Sequence, residues 1–482
     1  MAKFGMPSES FHGTCRDLTF EGKGVVVDGK RTVFVNGVFP GESGEFEIAY
    51  RRNGSFYGRV KRLDVVSPDR IAPKCKICSS CGGCQFQQYA YKAQLEYKTK
   101  KVKEQFRKIA HMDVDVLPTI GMDDPYHYRN KIQMPFGKDA RGNIYCGFYK
   151  ENTHIIVPVT ECYIEDKRAA KILQTVKKLM KSFRIEPYDE DARSGVLRHL
   201  LIRTSHYAPE IMVVLVTNVN SFPSRNNFVH ELVKECPEIT TVVQNINTRQ
   251  TNVILGERER VLYGPGKIRD SLNGVEFNIS AKSFYQTNPV MTEMLYDKAM
   301  NAAKLEKTDV VFDAYSGIGT IGLIAARHVK RVISVEIVEA AVKDAVRNAK
   351  NNNIKNFNVY CDDASSFMVR MAEKKEHVDV LFMDPPRKGS DERFLNALLK
   401  LKPSRVVYVS CDPSTLARDV AYISQSYKIE SIQPMDMFPQ SFHVETVCLL
   451  GRRKPDDTIK VSVNMDDYYQ IRDAEEAEKN PS

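Results

Sequence analysis

Residues 309–322 read DVVFDAYSGIGTIG: a run of β-formers, a glycine-rich turn, then the opening of a helix. This is how the first strand, loop and helix of a doubly wound α/β sheet read. Gly317, Gly319 and Gly322 have the spacing G-x-G-x-x-G, in which glycine permits a tight turn and close approach of a ligand. Glu336 closes the next hydrophobic run, where an acid accepts hydrogen bonds from ribose hydroxyls. On this stretch alone a nicotinamide dinucleotide and S-adenosylmethionine both remain candidates. Each is held on such a sheet by a glycine loop and an acid on the ribose.

Outward from that stretch the strand–loop–helix alternation continues. RVISVEIV (331–338), FNVYCDD (357–363), VDVLFMD (378–384) and RVVYVSC (405–411) are strands with helical segments between most of them. Ligands of open sheets bind outside the carboxyl ends of the strands, so the residues closing these strands share one crevice. Asp362 and Asp363 follow the third strand, where an acid commonly faces an adenine edge. Asp384, in DPPRKG, follows the fourth, and Cys411, in SCDPSTLARD, the fifth. Taken singly, Asp384 reads as a helix cap and Cys411 as a small packed residue. Their convergence on the crevice changes the reading, because a thiolate there is a nucleophile. Uracil C5 is too weak a nucleophile to take a methyl group from a sulfonium unaided. A thiolate adding to C6 makes an enolate, C5 attacks, and a base then removes the C5 proton so that the thiolate can leave. Glu445, in SFHVET (441–446), lies on a following strand and is the expected base.

Toward the N-terminus the pattern differs. Residues 7–67 alternate short β-rich runs with glycine turns, which predicts a small β-barrel. A cysteine-rich segment occupies 68–88, and 89–124 holds a basic helix expected to pack on the catalytic domain. Seven bases against two acids lie between Tyr89 and Lys108. Residues 125–280 read as a mixed α+β domain without a catalytic motif, 281–453 as the α/β domain, and 454–482 as an acidic, mobile tail. The 482 residues are 42% hydrophobic and 27% charged, which excludes a wholly disordered chain. No apolar run approaches the roughly 18–20 residues that cross a bilayer. The N-terminus lacks a secretory layout, so a soluble cytoplasmic protein is expected, with no membrane and no required protein partner. Net charge is +9, and residues 455–482 hold eight acids against three bases, so residues 1–454 carry +14. That excess suits a phosphate-backbone partner, although it also serves solubility.

SGIGT, DPPRKG, SCDPSTLARD and HVET together resemble the RNA uracil-C5 methyltransferases, the tRNA and large-subunit rRNA m5U enzymes. SFYQTN (283–288) resembles that family's F-x-Q-x-N motif, and the N-terminal barrel resembles a TRAM domain. The likeness spans nearly all of residues 7–453. It implies cofactor contacts by Gln286, Tyr315, Glu336 and Asp384, beside the glycine loop (Gly317, Gly319) and Asp363. It also implies Cys411 as nucleophile, Glu445 as proton acceptor, Asp384 against the uracil ring, and Phe284 and Arg387 at the substrate. The family's loop often carries cysteine where this chain has Ser316. RNA cytosine-C5 enzymes usually place a cysteine after D-x-P, where this chain has Arg387, which favours uracil. A non-catalytic RNA-binding iron–sulfur protein of the same fold is the alternative from another class.

Eleven cysteines without an export signal point to metal ligation or catalysis rather than disulfides. Cys75, Cys78, Cys81 and Cys84 run at C-x2-C-x2-C-x2-C, which fits neither the ferredoxin spacing nor, with Ile77, that of radical-SAM enzymes. Paired C-x2-C also suits zinc. The rRNA branch of the family has C-x5-C-x2-C plus a remote cysteine, holding a [4Fe–4S] cluster that the tRNA branch lacks. The resemblance therefore implies Cys75, Cys81, Cys84 and Cys162 as ligands, Cys78 as a bystander, and 23S rRNA as substrate. Cys15, Cys146, Cys236, Cys361 and Cys448 are expected to be packing residues.

Overall fold

A computed structural model describes residues 9–151 and 153–454; the acidic tail after Lys454 lies outside the described residues. Five strands, β1 (Ser10–Leu18), β2 (Gly24–Val27), β3 (Thr32–Val35), β4 (Ser43–Arg52) and β5 (Ser55–Val65), close a barrel in the order β1-β2-β3-β5-β4. Alternation along β4 sends Gly44, Phe46 and Ile48 inward, where Phe46 and Ile48 join Phe11, Val26, Val33 and Val35 in the barrel core.

Helix α1 (Tyr91–Gln105) runs into a π-helical turn over Phe106–Ala110. Its Val102, with Phe106, packs in the same core as the C-terminal sheet. Two of its lysines do not lie on its surface. Lys98 is wholly buried and Lys101 nearly so, each bonded inward to the segment around Phe438–Phe442.

Strands β6 (Lys131–Lys138), β7 (Ile144–Tyr149), β8 (Ile156–Pro158), β9 (Leu197–Thr204), β10 (Ile211–Thr217), β11 (Ile239–Ile246) and β12 (Arg258–Tyr263) form a mixed sheet ordered β12-β11-β10-β9-β6-β7-β8. Its two faces bury separate sets of residues. Leu200, Ile202, Val213 and Leu215 pack under α2 (Arg168–Ser182) and α3 (Arg225–Glu235). Leu201, Met212, Val214 and Val216 join the core of the C-terminal domain. The alternation that separates them is the two-residue period of a strand covered on both sides.

A hairpin, β13 (Ile268–Leu272) and β14 (Val275–Ile279), and helix α4 (Pro289–Ala303) lead into the last domain. There β15 (Val310–Ala314), α5 (Thr320–Ala326), β16 (Arg331–Glu336), α6 (Glu339–Asn351), β17 (Phe357–Cys361), α7 (Ala364–Glu373), β18 (Val380–Met383), α8 (Glu392–Leu401), β19 (Arg405–Ser410), α9 (Pro413–Ile423), β20 (Tyr427–Met435) and β21 (Glu445–Arg452) follow in turn. The sheet order is β17-β16-β15-β18-β19-β21-β20, parallel except for β21. The order reverses between β15 and β18, which places the binding crevice at the carboxyl ends of those strands. Cys361, expected as packing, is instead exposed, because it ends the edge strand β17. Cys15, Cys146, Cys236 and Cys448 are buried. Among the described residues no helix is long and apolar enough to cross a membrane.

Candidate active site

The crevice at the carboxyl ends of β15, β18 and β19 has a volume of about 550 Å³. Phe284, Gln286, Tyr315, Gly317, Glu336, Asp384, Arg387, Cys411 and Glu445 all line it. Register explains how residues 34 positions apart in sequence meet: β19 and β21 are antiparallel, and the last pair of the ladder is Ser410 with Thr446. Cys411 follows Ser410 and Glu445 precedes Thr446, so the two flank that last pair, and both line the crevice. Asp384 follows Met383, which lies beside Ala314 of β15 and Tyr408 of β19. The three reactive side chains thus come from adjacent strands at one end of the sheet.

The glycine loop is shaped by its surroundings. Gly317 has φ 56°, and nothing lies within 4 Å of the position a Cβ would occupy, so the loop presents open backbone to the crevice. A Cβ at Gly322 would lie 2.6 Å from Asp313 Oδ2 and 2.8 Å from Phe357, which is why this position in the first turn of α5 must lack one. Gly319 does not line the crevice; it caps α5 in the left-handed region. Glu336 accepts hydrogen bonds from the backbone N–H of Gly317 (2.9 Å) and of Val338 (2.8 Å), which fixes its carboxylate at the rim.

Asp363 falls elsewhere. Its side chain accepts from Ser366 N at 2.9 Å and so caps α7. It lines a neighbouring cavity of about 580 Å³ that shares Tyr315, Glu336 and Pro386 with the crevice. Its neighbour Asp362 is paired with Arg370.

The electrostatics of the crevice are dominated by burial. Burial pushes Asp384 up to about 7. Burial, then the Asp384 carboxyl, holds Glu445 well above the ordinary carboxylate range, with Arg387 opposing. Burial, then Glu445 and Asp384, push the Cys411 thiol up to about 12, again opposed by Arg387. Three acids clustered away from water favour their neutral forms, and a cation brought among them favours the charged ones.

Several residues of this wall escaped the sequence reading. Asp313, buried at the end of β15, takes a hydrogen bond from Ser334 Oγ (3.3 Å), and burial raises it to about 7. Its signal was an acid just before the glycine loop. His443 lines the crevice, its ring set against Phe438 and Phe442 with centroids 5.9 and 4.3 Å away. Burial lowers it to about 4, so it is neutral. Asp344 of α6 takes a bond from Ser283 Oγ at 3.2 Å. Phe284 is 70% exposed at the mouth, unusual for a large apolar ring.

The cysteines form a second feature. Cys75, Cys78, Cys81, Cys84 and Cys162 line one cavity of about 40 Å³, so its wall does not set Cys78 apart from the other four. Five thiols are a soft donor set. Among the described residues no group of three or more His, Cys, Asp or Glu is arranged to hold a metal ion. Burial raises the Cys84 thiol to about 12 and raises Cys162 and Cys81 as well.

The tRNA (uracil-5-)-methyltransferase family profile matches residues 90–453. An uncharacterized RNA methyltransferase of Halalkalibacterium halodurans is 42% identical over 440 residues, covering 91% of this chain and 96% of that protein. One from Staphylococcus aureus is 40% identical over 440 residues, covering 91% and 97%. Among solved structures, the tRNA (uracil-54, C5)-methyltransferase of Pyrococcus abyssi in complex with S-adenosyl-L-homocysteine superposes with a TM-score of 0.72. It is 27% identical, and the match covers 91% of this chain and all of that one.

Proposed function

The chain belongs to the tRNA (uracil-5-)-methyltransferase family of RNA methyltransferases, and from that premise we propose that it methylates C5 of a uridine in RNA, using S-adenosylmethionine, Cys411 and Glu445. The observation that carries the reading is the convergence of Cys411, Glu445 and Asp384 on one crevice, Cys411 and Glu445 lying just beyond the last registered pair of β19 and β21, Ser410 with Thr446.

The residues present suit the cofactor: open backbone at Gly317, the pinned carboxylate of Glu336, and Gln286, Tyr315 and Asp384 on the same wall. When bound, S-adenosylmethionine supplies an electrophilic methyl group on a sulfonium, whose charge also favours the ionised forms of Cys411, Asp384 and Glu445. Cys411 loses its proton to water, and its sulfur adds to C6 of an extruded uracil, turning C5 into an enolate carbon open to alkylation. Afterwards the Glu445 carboxylate takes the C5 proton, the C5–C6 double bond re-forms, the C6–S bond breaks and Cys411 leaves as thiolate. A carboxylate held well above its ordinary pKa is a stronger base for that step. Phe284, exposed at the mouth, stacks on the flipped base, and Asp384 and Arg387 face the ring. The +14 charge of residues 1–454 draws the phosphate backbone to the barrel, the helix and the central domain.

For the substrate we favour 23S rRNA, on the cysteine layout. Cys75, Cys81, Cys84 and Cys162 would hold a [4Fe–4S] cluster that ties the segment after the barrel to the central domain. A tRNA substrate is the second reading, favoured by the substrate named for the Pyrococcus abyssi enzyme. Nucleoside mass spectrometry on unmodified rRNA and tRNA transcripts, incubated with anaerobically purified protein and S-adenosylmethionine, separates them. 5-Methyluridine in rRNA alone supports the full reading; in tRNA alone it keeps the chemistry and overturns the substrate. Methylation of neither would favour a non-catalytic RNA-binding protein.

A further inference from the structure

Glu445 begins β21, at the end of a loop (436–444) that carries Phe438 and His443 into the crevice. That loop has no regular structure, yet its backbone carbonyls are held one after another from outside. Asn288 Nδ2 donates to Met437 O (3.1 Å), Lys98 Nζ to Phe438 O (3.3 Å), and Tyr128 Oη to Pro439 O (3.0 Å). The N–H groups of Gln85 and Phe86 both donate to Gln440 O (2.9 and 3.0 Å), and Lys101 Nζ donates to Phe442 O (2.8 Å).

Gln440 is the centre of this arrangement. It has φ 69°, a left-handed backbone that costs a side-chain-bearing residue free energy and persists only where its surroundings hold it. What holds it is Gln94 on α1. Gln94 Nε2 donates to Gln440 Oε1 (3.1 Å), and Gln440 N donates to Gln94 Oε1 (3.1 Å). Gln94 Nε2 also reaches Phe86 O and Tyr89 O, so one buried amide joins the start of α1 to the loop. One turn along, Lys98 pairs with Asp436 at 2.5 Å, with both side chains wholly buried. Helix α1 lies more than 300 residues earlier in the chain than this loop. The barrel touches it too: Tyr97 Oη donates to Thr19 O and Phe20 O, and Lys101 Nζ sits 3.8 Å from the Phe20 ring centroid.

We propose that Gln94 and Lys98 are positioning residues for the proton-abstraction step: by clamping the 436–444 loop from α1, they set where the Glu445 carboxylate meets C5. The inference rests on the reading of Glu445 given above. It makes α1 and the barrel turn part of the catalytic apparatus rather than only an RNA-binding attachment. The step affected is the one in which the C5 proton passes to Glu445, the double bond re-forms and the C6–S bond breaks. Displacing a base by about 1 Å can cost about 100-fold in rate.

The test compares Gln94→Met with Glu445→Gln on the full-length protein, measuring steady-state kinetics and the fraction of enzyme linked to RNA on denaturing gels. For Gln94→Met the expected result is a fall in kcat of about 10- to 100-fold, a KM for RNA and an affinity for S-adenosylhomocysteine within about twofold of wild type, and build-up of the covalent RNA adduct, as in Glu445→Gln. Loss of folding alone would lower adduct and turnover together. If Gln94→Met does not fold, the charge-neutral pair Lys98→Met with Asp436→Asn is read in the same way. A kcat within twofold of wild type overturns the inference, as does slow turnover without adduct while Glu445→Gln accumulates it. If Glu445→Gln itself accumulates none, the base assignment falls, and this inference with it.

Discussion

Lys98→Met removes one half of an ion pair in which neither side chain has any exposure to solvent. The pair joins α1, through Lys98 Nζ, to Oδ1 of the residue that follows β20, and among the described residues Asp436 Oδ2 has no hydrogen-bond partner. Burial pushes the Lys98 ammonium below its ordinary pKa, and the Asp436 carboxylate opposes that shift. Replacing the lysine with a side chain of similar length leaves little cavity but strands a carboxylate in the interior. Breaking such a pair from one side costs about 3–5 kcal/mol, whereas replacing both charges is often close to neutral. For a chain of this length each kcal/mol moves the unfolding midpoint by roughly 1 °C, so Lys98→Met is expected to melt about 3–5 °C below wild type. Lys98→Met with Asp436→Asn recovers most of the loss. Thermal and urea unfolding of the three proteins decides the matter. A single variant within about 1 kcal/mol of wild type, or a double variant less stable than the single, would refute the reasoning.

Other expectations follow from the crevice. Glu445→Gln should form the methylated RNA adduct and release it slowly, so that a covalent band builds up on denaturing gels; free turnover without adduct contradicts the base assignment. The raised pKa of Asp384 makes stability pH-dependent, with a definite sign. The unfolded chain ionises Asp384 near 3.8 while the folded chain keeps it neutral up to about 7, so this contribution to stability is lost as pH rises between those values. Asp384→Asn should therefore melt with a shallower decline across that window than wild type in the absence of cofactor; parallel curves refute it. Glu336→Gln replaces charge-assisted acceptance from Gly317 N–H with neutral acceptance and should weaken S-adenosylhomocysteine binding about tenfold by calorimetry, the equivalent of about 1.4 kcal/mol. Unchanged affinity would remove Glu336 from the cofactor site.

The crevice was legible in the sequence because each of its main groups sits at the end of a strand, where local pattern and sheet topology coincide. Tyr315, Glu336, Asp384 and Cys411 follow or close parallel strands, and Glu445 opens the antiparallel one. Groups whose place depends on distant packing were not legible in the same way. Lys98 and Lys101 look like surface charge in a helix with seven bases, yet they point inward because their partners, Asp436 and Phe442 O, lie more than 330 residues on. Asp363 obeyed the nearer demand of capping α7 rather than lining the crevice. Cys361 ends the edge strand of its sheet and is exposed there. The central domain read only as mixed α+β, because strands such as Ile156–Pro158 and the largely exposed Arg258–Tyr263 are defined by pairing into the seven-stranded sheet rather than by an apolar run of their own.

The central claim is that the Cys411 sulfur bonds covalently to uracil during methyl transfer. Its most direct test is peptide mass spectrometry after the protein is incubated with S-adenosylmethionine and substrate RNA carrying 5-fluorouridine, whose C5 bears no proton for Glu445 to remove. The account predicts a methylated fluorouridine nucleotide attached to the peptide containing Cys411, and none on Cys411→Ala, which should still bind RNA but neither methylate nor trap it. Methylation of ordinary RNA by Cys411→Ala, or a nucleotide attached at another residue, would contradict it.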